Sequence, residues 1–316
     1  MIRASLPNKN RQEGIALLTA VLIVALVTLL VTQLVSRQGL DIRRTENMIF
    51  GDRAYLLSLG AEAWAAQILA HDRRENEIDH LYEDWATVIP PIAVEGGEIS
   101  GQIADLDGRF NINGLVKEGV ASEKDVERFR RLLEKLDLDA DLVYPLVDWL
   151  DKDSDPSLPN GAEDDTYTSL EPPYRAANGL MVSPSELRLV SGYTREVYEV
   201  LEPFIATLPV RTTVNVNTAP AEVLATIMED MTLGDGESLV EERGEKGFES
   251  LDDFFDQGVF TEREEDYERT AYAVASRYFL ISGRAEYGRG QVSLYSILYR
   301  NDEGKTEHLL RSLGNY

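Results

Sequence analysis

Seven carboxylates fall within eighteen residues near the middle of this chain, in the stretch 148–165. Asp151, Asp153 and Asp155 recur at every second position, and in a turning loop this spacing brings side-chain oxygens toward one point. Hard cations such as Ca²⁺ bind to oxygen ligands presented in this way. The stretch therefore predicts a cation site. Its candidate ligands are Asp151, Asp153, Asp155, Glu163, Asp164 and Asp165.

The stretch does not follow the EF-hand pattern. Pro156 stands where that loop needs glycine, Ala162 stands where the bidentate glutamate belongs, and Glu163 comes one place late. A solvated acidic loop without an ion is the alternative interpretation. Two features favour an ion: seven carboxylates repel one another without a counterion, and the neighbouring Trp149 and Leu150 suggest that the loop packs against the protein.

Composition excludes several classes of protein. The 316 residues suggest about two domains. The absence of cysteine excludes disulfides, thiolate zinc sites and a cysteine nucleophile, and three histidines leave little for a histidine metal site. A net charge of −25 argues against nucleic-acid binding. The sequence contains no nucleophile elbow, phosphate-binding loop, zinc-protease helix or dinucleotide glycine pattern. We therefore expect a protein that is not an enzyme.

An uncharged apolar run, residues 15–35, follows a short basic head. As a helix of about 1.5 Å per residue it would be ~32 Å long, which matches the ~30 Å hydrocarbon core of a bilayer. No small-residue cleavage site closes the run, as a secretory signal would require. The apolar positions then thin to one face and continue to about Leu69, which predicts a single long helix, amphipathic in its second half. The basic head favours a cytoplasmic N-terminus.

Strand patterns flank a long helical region in the rest of the chain. Alternating residues around a Gly96-Gly97 turn predict a hairpin within 86–106, and three further strands are predicted within 276–313. Between them, residues 112–275 repeat amphipathic helical patterns. A helical block between strands of one sheet indicates an α+β fold with an insertion.

Gly14 ends the basic head and the apolar run begins at once at Ile15, so the chain resembles the type IV pilin and type II secretion pseudopilin family. The resemblance implies that a prepilin peptidase cuts between Gly14 and Ile15 and that Ile15 is then N-methylated. Most members carry a glutamate at mature position five, where this chain has Thr19. An intramembrane carboxylate is costly and needs a partner, which in these filaments is the N-terminal ammonium of the neighbouring subunit. Its absence predicts a subunit at the filament tip.

Large size and the missing glutamate are features of one branch of that family, the K component (general secretion pathway protein K). This resemblance implies an α+β fold in which a pilin-like long N-terminal helix packs on an antiparallel sheet, with a large all-α insertion of two small helical subdomains. The predicted divisions are a basic leader peptide (1–14), a transmembrane and filament-core helix (15–36), an amphipathic helix with the first strands (37–111), the helical insertion (112–275) and the C-terminal strands (276–316).

A weak internal repeat accords with two subdomains. The pattern Asn-x-Asn occurs in GRFNINGL (108–115) and again in TTVNVNTA (212–219), each time ahead of a helical pattern. One interpretation is helix capping, by Asn113 in the first copy and by Asn217 or Thr218 in the second. The other is that the two copies open two related helical subdomains, which the K-component resemblance favours.

The resemblance also implies a function and partners. The chain would be a minor pseudopilin that nucleates or caps the type II secretion pseudopilus with the I and J minor pseudopilins, for protein export across the outer membrane. It would meet prepilin peptidase and the major pseudopilin, and in addition exoproteins or the secretin. It would lie in the bacterial inner membrane as a single-pass protein, with its N-terminus cytoplasmic and its body periplasmic. Known K components bind calcium in the matching region, which implies structural Ca²⁺ at the acidic stretch.

Two alternatives remain open from the sequence. One is an anchored periplasmic binding module that is never processed. The other is a DNA-uptake pseudopilin, because residues 212–256 resemble a helix-hairpin-helix repeat. That stretch, however, carries two basic and twelve acidic residues, whereas a phosphate-binding face is expected to be basic. We therefore predict no nucleic-acid partner.

Overall fold

The computed structural model describes residues 10–261 and 268–314. Its first element is a single helix, α1 (Asn10–Glu75), which at about 1.5 Å per residue is roughly 100 Å long. The predicted long helix is therefore confirmed, and it extends six residues beyond the expected end at Leu69. Of the predicted leader peptide, residues 1–9 lie outside the described part of the chain.

One five-stranded antiparallel sheet follows the long helix. Its strands, in spatial order, are β1 (Ile89–Val94), β2 (Gly97–Asp105), β3 (Tyr278–Tyr287), β4 (Gly290–Arg300) and β5 (Thr306–Leu313). The predicted hairpin and the three C-terminal strands are present. Pro90 and Pro91 lie in edge strand β1, where the register shifts between Ile89 and Ile92. An edge strand tolerates proline because one side of it needs no ladder donor.

The C-terminal half of α1 packs on one face of this sheet. Its Ala65, Ala66 and Leu69 form a buried cluster with Phe279 and Ile281 of β3. Leu280 of the same strand points to the opposite face, where it packs with Leu208 of the insertion. The period of two along β3 thus lets one strand serve two cores. The predicted α+β class, with the helix on an antiparallel sheet, is confirmed.

The insertion leaves the sheet at the end of β2 and returns at the start of β3, two strands that remain paired along their length. Its α-helices are α2 (Glu123–Lys135), α3 (Val143–Leu150), α4 (Asp164–Thr168), α5 (Arg195–Leu201), α6 (Ala221–Leu224), α7 (Leu233–Arg243) and α8 (Leu251–Phe255). Short 3₁₀ turns cover Asp84–Ala86 before β1, then Ile112–Leu115, Ala140–Leu142, Pro184–Leu189, Glu202–Phe204, Gly258–Phe260 and Arg269–Ala271. The helices and 3₁₀ turns of the insertion share one continuous hydrophobic core, whereas Trp85 of Asp84–Ala86 packs in the cluster between α1 and the sheet.

Among the described residues, three ladders of two residues each lie between these helices. The insertion, predicted to be all-α, therefore also contains short strand pairs. Two of them are parallel and join the start of a segment to its end: Phe110–Asn111 pairs with Ile205–Ala206, and Val214–Asn215 pairs with Tyr272–Ala273. The third is a local antiparallel ladder between Val116–Lys117 and Val120–Ala121. The two parallel ladders divide the insertion into a first and a second subdomain.

Asn113, Asn217 and Thr218 do not cap α2 or α6, so that interpretation is wrong. In the first copy Asn111 caps the 3₁₀ turn Ile112–Leu115, where its side-chain oxygen accepts from the backbone N–H of Asn113 at 3.2 Å. The caps are Ser122 for α2 and Pro220 for α6. Instead, the amide of Asn113 accepts from the backbone N–H of Met181 and donates to its carbonyl, at 2.9 Å in both cases.

The second copy repeats this arrangement. The Asn217 amide accepts from the backbone N–H of Phe248 at 2.7 Å and donates to its carbonyl at 3.0 Å. Both asparagines are almost fully buried. Each holds a distant loop against its own ladder, and the equivalence of the two sites supports the interpretation of two related subdomains.

Candidate functional site

The predicted processing site lies near the start of α1. Gly14 and Ile15 are exposed residues of the uninterrupted helix, and the Thr19 hydroxyl donates to the carbonyl of Ala16 at 3.0 Å. Thr19 therefore satisfies its own polar group within the helix. From Ile15 to Val35 the large apolar side chains are 51–71% exposed. An apolar surface of this extent needs lipid or protein to cover it.

Within the described residues, α1 is the one helix whose length and composition would allow it to cross a membrane.

The acidic stretch forms a loop between two helices, which we call the acidic loop (148–165). Helix α3 ends at Leu150, directly before Asp151, and α4 begins directly after Glu163. These two helix ends bring Asp151 and Glu163 together with Asp153, so that one oxygen of each lies within 4.8 Å of the others. Three of the six predicted ligands thus converge. The C-terminal end of α3 also carries partial negative charge, which makes a carboxylate at Asp151 unfavourable without a cation.

Buried carboxylate oxygens in this cluster have no hydrogen-bond partner. Asp151 and Glu163 are each 6% exposed, and Asp151 Oδ1 and both carboxylate oxygens of Glu163 are unpaired. Burial raises the pKa of Glu163 to about 7, helped by the charges of Asp148 and Asp151. Burial, together with Asp153 and Asp148, raises the pKa of Asp151 to about 6. An unpaired buried carboxylate costs free energy, and a bound cation would remove that cost. The donor set therefore fits a hard divalent ion.

Asp148 organises the backbone of the acidic loop. Its carboxylate accepts from the N–H groups of Ser157 at 3.0 Å and Ala162 at 2.7 Å, and so draws the loop back onto α3. A Cβ at Gly161 would lie 2.2 Å from Asp148 Oδ2 and 2.4 Å from the Ser157 nitrogen. Only glycine permits this close approach. These hydrogen bonds occupy the Asp148 carboxylate. The converging carboxylates of Asp151, Asp153 and Glu163 are therefore the ones that can act as ligands of an ion.

The other three predicted ligands are placed apart from the cluster. Asp155 is exposed, and its backbone N–H donates to Asp153 Oδ1 at 2.9 Å. Asp164 accepts from the N–H of Ala176 and lies 3.6 Å from the guanidinium of Arg175. Asp165 is exposed on α4. The pattern of alternate residues therefore identified the loop, but not which carboxylates face inward.

Asn178 lies beside the acidic loop, and the sequence did not identify it as part of the site. Its amide nitrogen donates to the carbonyl of Asp153 at 2.9 Å, while its Oδ1 is buried and has no partner. No local pattern in the sequence pointed to it, because it lies 25 residues from Asp153.

A buried network of ion pairs, which joins α1 to the sheet, was also not identified from the sequence. Arg300, at the end of β4, is 1% exposed and holds Asp79, which is fully buried, through Nη2 at 2.5–2.6 Å. Its Nη1 binds Asp72 of α1 at 2.8 Å and the Leu69 carbonyl at 3.0 Å. Nη2 also donates to the Ser276 carbonyl at 3.0 Å. Arg300 thereby ties the long helix, the sheet and the return of the insertion together. The signal available in the sequence for Arg300 was a charged residue at the end of an apolar strand pattern.

Comparisons with known proteins agree in pointing to one family. Residues 108–210 and residues 214–275 each match a family model described as "Type II secretion system (T2SS), protein K". A type II secretion system protein K of Pseudomonas aeruginosa is 38% identical over 317 residues, covering 97% of this chain and 94% of that protein. Proteins of the same description from Pectobacterium carotovorum and Aeromonas hydrophila are 32% and 30% identical; each match covers 98% of this chain, and 98% and 99% of those proteins.

A solved structure shares the fold. A chain in the crystal structure of the GspK-GspI-GspJ complex from the enterotoxigenic Escherichia coli type 2 secretion system matches with a TM-score of 0.77. The match covers 86% of this chain and all of that chain, at 24% sequence identity. The boundary between the two matched family models, at 210–214, coincides with the boundary between the two ladder-closed subdomains.

Proposed function

Since this chain belongs to the type II secretion system protein K family, we propose that it is the minor pseudopilin at the tip of the pseudopilus. In this role it assembles with the I and J minor pseudopilins and nucleates or caps the filament for protein export across the outer membrane. The shared fold with a chain of the GspK-GspI-GspJ complex carries the proposal of these partners. The role is structural, and the insertion forms the bulk of the tip.

The bare apolar half of α1 supports two successive locations for the helix. Before assembly it spans the inner membrane, with the basic head on the cytoplasmic side and the body in the periplasm. Prepilin peptidase then cuts after Gly14. After assembly the same surface packs against the helices of I, J and the major pseudopilin in the filament core. Thr19 supports the tip position, because it offers no carboxylate to the N-terminal ammonium of a subunit above.

The proposed role is tested in cells that lack this protein. We expect deletion of its gene to stop export of type II substrates into the medium, and a plasmid copy of the full chain to restore it. The measurement is the amount of exoprotein in the medium and in the periplasm. If substrates still reach the medium without the chain, the proposed role is wrong.

We also propose that the acidic loop binds a structural Ca²⁺. Asp151, Asp153 and Glu163 are its protein ligands, with Asn178 Oδ1 as a further oxygen donor. The unpaired buried oxygens of Asp151 and Glu163 support the proposal. When bound, the ion neutralises the converging carboxylates and fastens α3 to α4 in a protein that has no disulfide to do so. We expect an affinity in the range of extracytoplasmic modules, with Kd about 10⁻⁴–10⁻³ M.

Removal of Ca²⁺ is expected to lower the thermal midpoint of the body. At a free Ca²⁺ concentration of about 100 times Kd, binding adds about 2.7 kcal/mol to the unfolding free energy. For a body of this size that corresponds to roughly 5–10 °C. The measurement is the midpoint of near-UV circular dichroism in Ca²⁺ and in excess chelator.

Two variants separate a specific site from general screening of charge. Glu163→Gln removes one buried carboxylate, so we expect Ca²⁺ to raise its midpoint far less than that of the wild type. Asp155→Asn removes one exposed charge from the same loop and should keep the full response. Equal responses in the two variants, or a midpoint that chelator leaves unchanged, would contradict the proposed site.

A further inference from the structure

A cleft of about 640 Å³ opens between the two subdomains of the insertion. We call it the inter-subdomain cleft. One wall is α2 of the first subdomain, and the other is formed by the linker residue Arg211 with Ile227, Glu229 and Tyr272 of the second. Its volume lies within the ~300–1,000 Å³ of ordinary ligand pockets and far exceeds that of a single water or ion.

The wall formed by α2 carries a row of cations, the basic stripe of Lys124, Arg128 and Arg131. These residues are spaced i, i+4 and i+7, so they lie on one face of the helix. Like charges at these spacings destabilise a helix by about 0.2–0.5 kcal/mol per pair. In a chain with a net charge of −25, acidic side chains to offset them are abundant, yet in the described part of the chain Arg128 and Arg131 form no salt bridge.

Arg128 is held in place by aromatic rings rather than by carboxylates. Its guanidinium lies 5.1 Å from the ring centre of Tyr272 and 5.7 Å from that of Phe110. Its Nε and Nη2 are buried without a hydrogen-bond partner. Within 10–261 and 268–314, no residue forms a salt bridge or hydrogen bond with the guanidinium group of Arg128 or Arg131. Among these residues, two arginines of one cleft therefore lack a salt-bridge partner, although the charges of Glu127 and Glu229 act on Arg131.

Arg131 is also in an unfavourable environment for its charge. Burial lowers its pKa, and the neighbouring charge of Arg128 lowers it further, only partly opposed by Tyr272, Glu127 and Glu229. An anion placed between the two guanidinium groups would relieve both effects. Planar guanidinium groups bind carboxylates with paired, charge-assisted hydrogen bonds.

The other cations of the cleft are already paired, which contrasts with the stripe. Arg211 lies 3.3 Å from Asp125 and 3.6 Å from Glu268, and Arg130 lies 3.3 Å from Glu127. Acids also line the cleft: Glu123, Glu134 and Glu229 form no salt bridge with any described residue, although the charge of Glu134 acts on Arg130 and that of Glu229 on Arg131. They would repel a polyanion such as a nucleic acid, but they tolerate a polypeptide that turns a few carboxylates inward.

We propose that the inter-subdomain cleft binds the carboxylates of an acidic polypeptide segment, with Arg128 and Arg131 as the residues that receive them. This goes beyond a tip position in the filament, because it assigns a binding site to the insertion itself. Arg128, fixed on its two rings, sets the position of one carboxylate. Arg131, one turn along α2, is placed for the same or the next acidic group.

The test uses the full chain in detergent and a fluorescently labelled peptide with glutamate at alternate positions of a glycine backbone. We expect saturable binding by fluorescence anisotropy, and no binding of the matched glutamine peptide. Arg128→Gln combined with Arg131→Gln should weaken binding at least about tenfold. Arg195→Gln is the matched control, because Arg195 is an exposed arginine outside the cleft. That variant should bind as the wild type does.

A second measurement uses the unaltered chain, so it does not depend on whether the double variant folds. The peptide should slow modification of Arg128 and Arg131 by phenylglyoxal, read by mass spectrometry, and leave Arg195 unprotected. The proposal is overturned if the glutamate peptide does not bind, if Arg195→Gln weakens binding as much as the double variant, or if Arg128 and Arg131 are not protected. Displacement of the peptide by inorganic phosphate at equal concentration would also overturn it, since the site would then bind any anion.

Discussion

Replacement of Gly14 with leucine is expected to leave the chain uncleaved in cells that contain prepilin peptidase. The wild-type chain should begin at N-methylated Ile15, whereas the variant should retain the fourteen residues before it. If prepilin peptidase cuts after Gly14 as proposed, the physical reason is that glycine has no side chain, whereas leucine would place one beside the bond that is cut. The measurement is the intact mass of the purified chain, together with its N-terminal sequence.

The structure shows that a side chain at Gly14 would not disturb the fold, and it supplies a matched control position. A Cβ built at Gly14 meets nothing within 4 Å, and the same is true at Gly39 in the same helix. Leucine at either position therefore leaves the fold undisturbed and raises the helix propensity by the same amount, about 1 kcal/mol. Gly39→Leu should be cleaved as the wild type is. A Gly14→Leu chain that still begins at Ile15, or a wild-type chain that keeps Met1 in these cells, would rule out the predicted junction.

Replacement of Arg300 with methionine is expected to cause the largest loss of stability. It leaves Asp79 fully buried with no countercharge and frees Asp72 on α1. Removal of one partner from a buried ion pair typically costs about 3–5 kcal/mol. For a body of this size the thermal midpoint should fall by roughly 6–20 °C. The measurement is thermal unfolding of the full chain in detergent, followed by circular dichroism.

A control and a rescue distinguish the network from a general effect of charge. Arg277 pairs with Asp302 at 3.0 Å, but both side chains are more than half exposed, so Arg277→Met should cost no more than about 1 kcal/mol. Adding Asp79→Asn to Arg300→Met removes the stranded charge and should recover part of the loss. If Arg277→Met and Arg300→Met shift the midpoint equally, Arg300 does not organise the body as described.

Local patterns in the sequence were sufficient for the architecture. The run from Ile15, the Gly96-Gly97 turn and the alternation within 276–313 each depend on residues close in the chain, and the structure contains the helix, hairpin and strands they predict. Contacts between distant residues were beyond such patterns. Arg300 reaches Asp79 across 221 positions, and nothing near either residue indicates the other.

The acidic loop shows the same limit on a smaller scale. Spacing identified the region, but the choice of inward-facing carboxylates depends on where α3 ends and α4 begins. Asp164 is occupied by the N–H of Ala176, twelve residues away, so it lies apart from the cluster. The asparagine repeats also illustrate it: Asn113 and Asn217 had the residue type of helix caps, but their partners lie 68 and 31 residues along the chain.

Assembly with the I and J minor pseudopilins is the central claim, and native mass spectrometry tests it most directly. The chain would be co-expressed with both partners, purified through a tag on the I component, and weighed intact. We predict one complex that contains one copy each of I, J and this chain. An I and J pair that forms without this chain, while the chain remains folded and separate, would contradict the account.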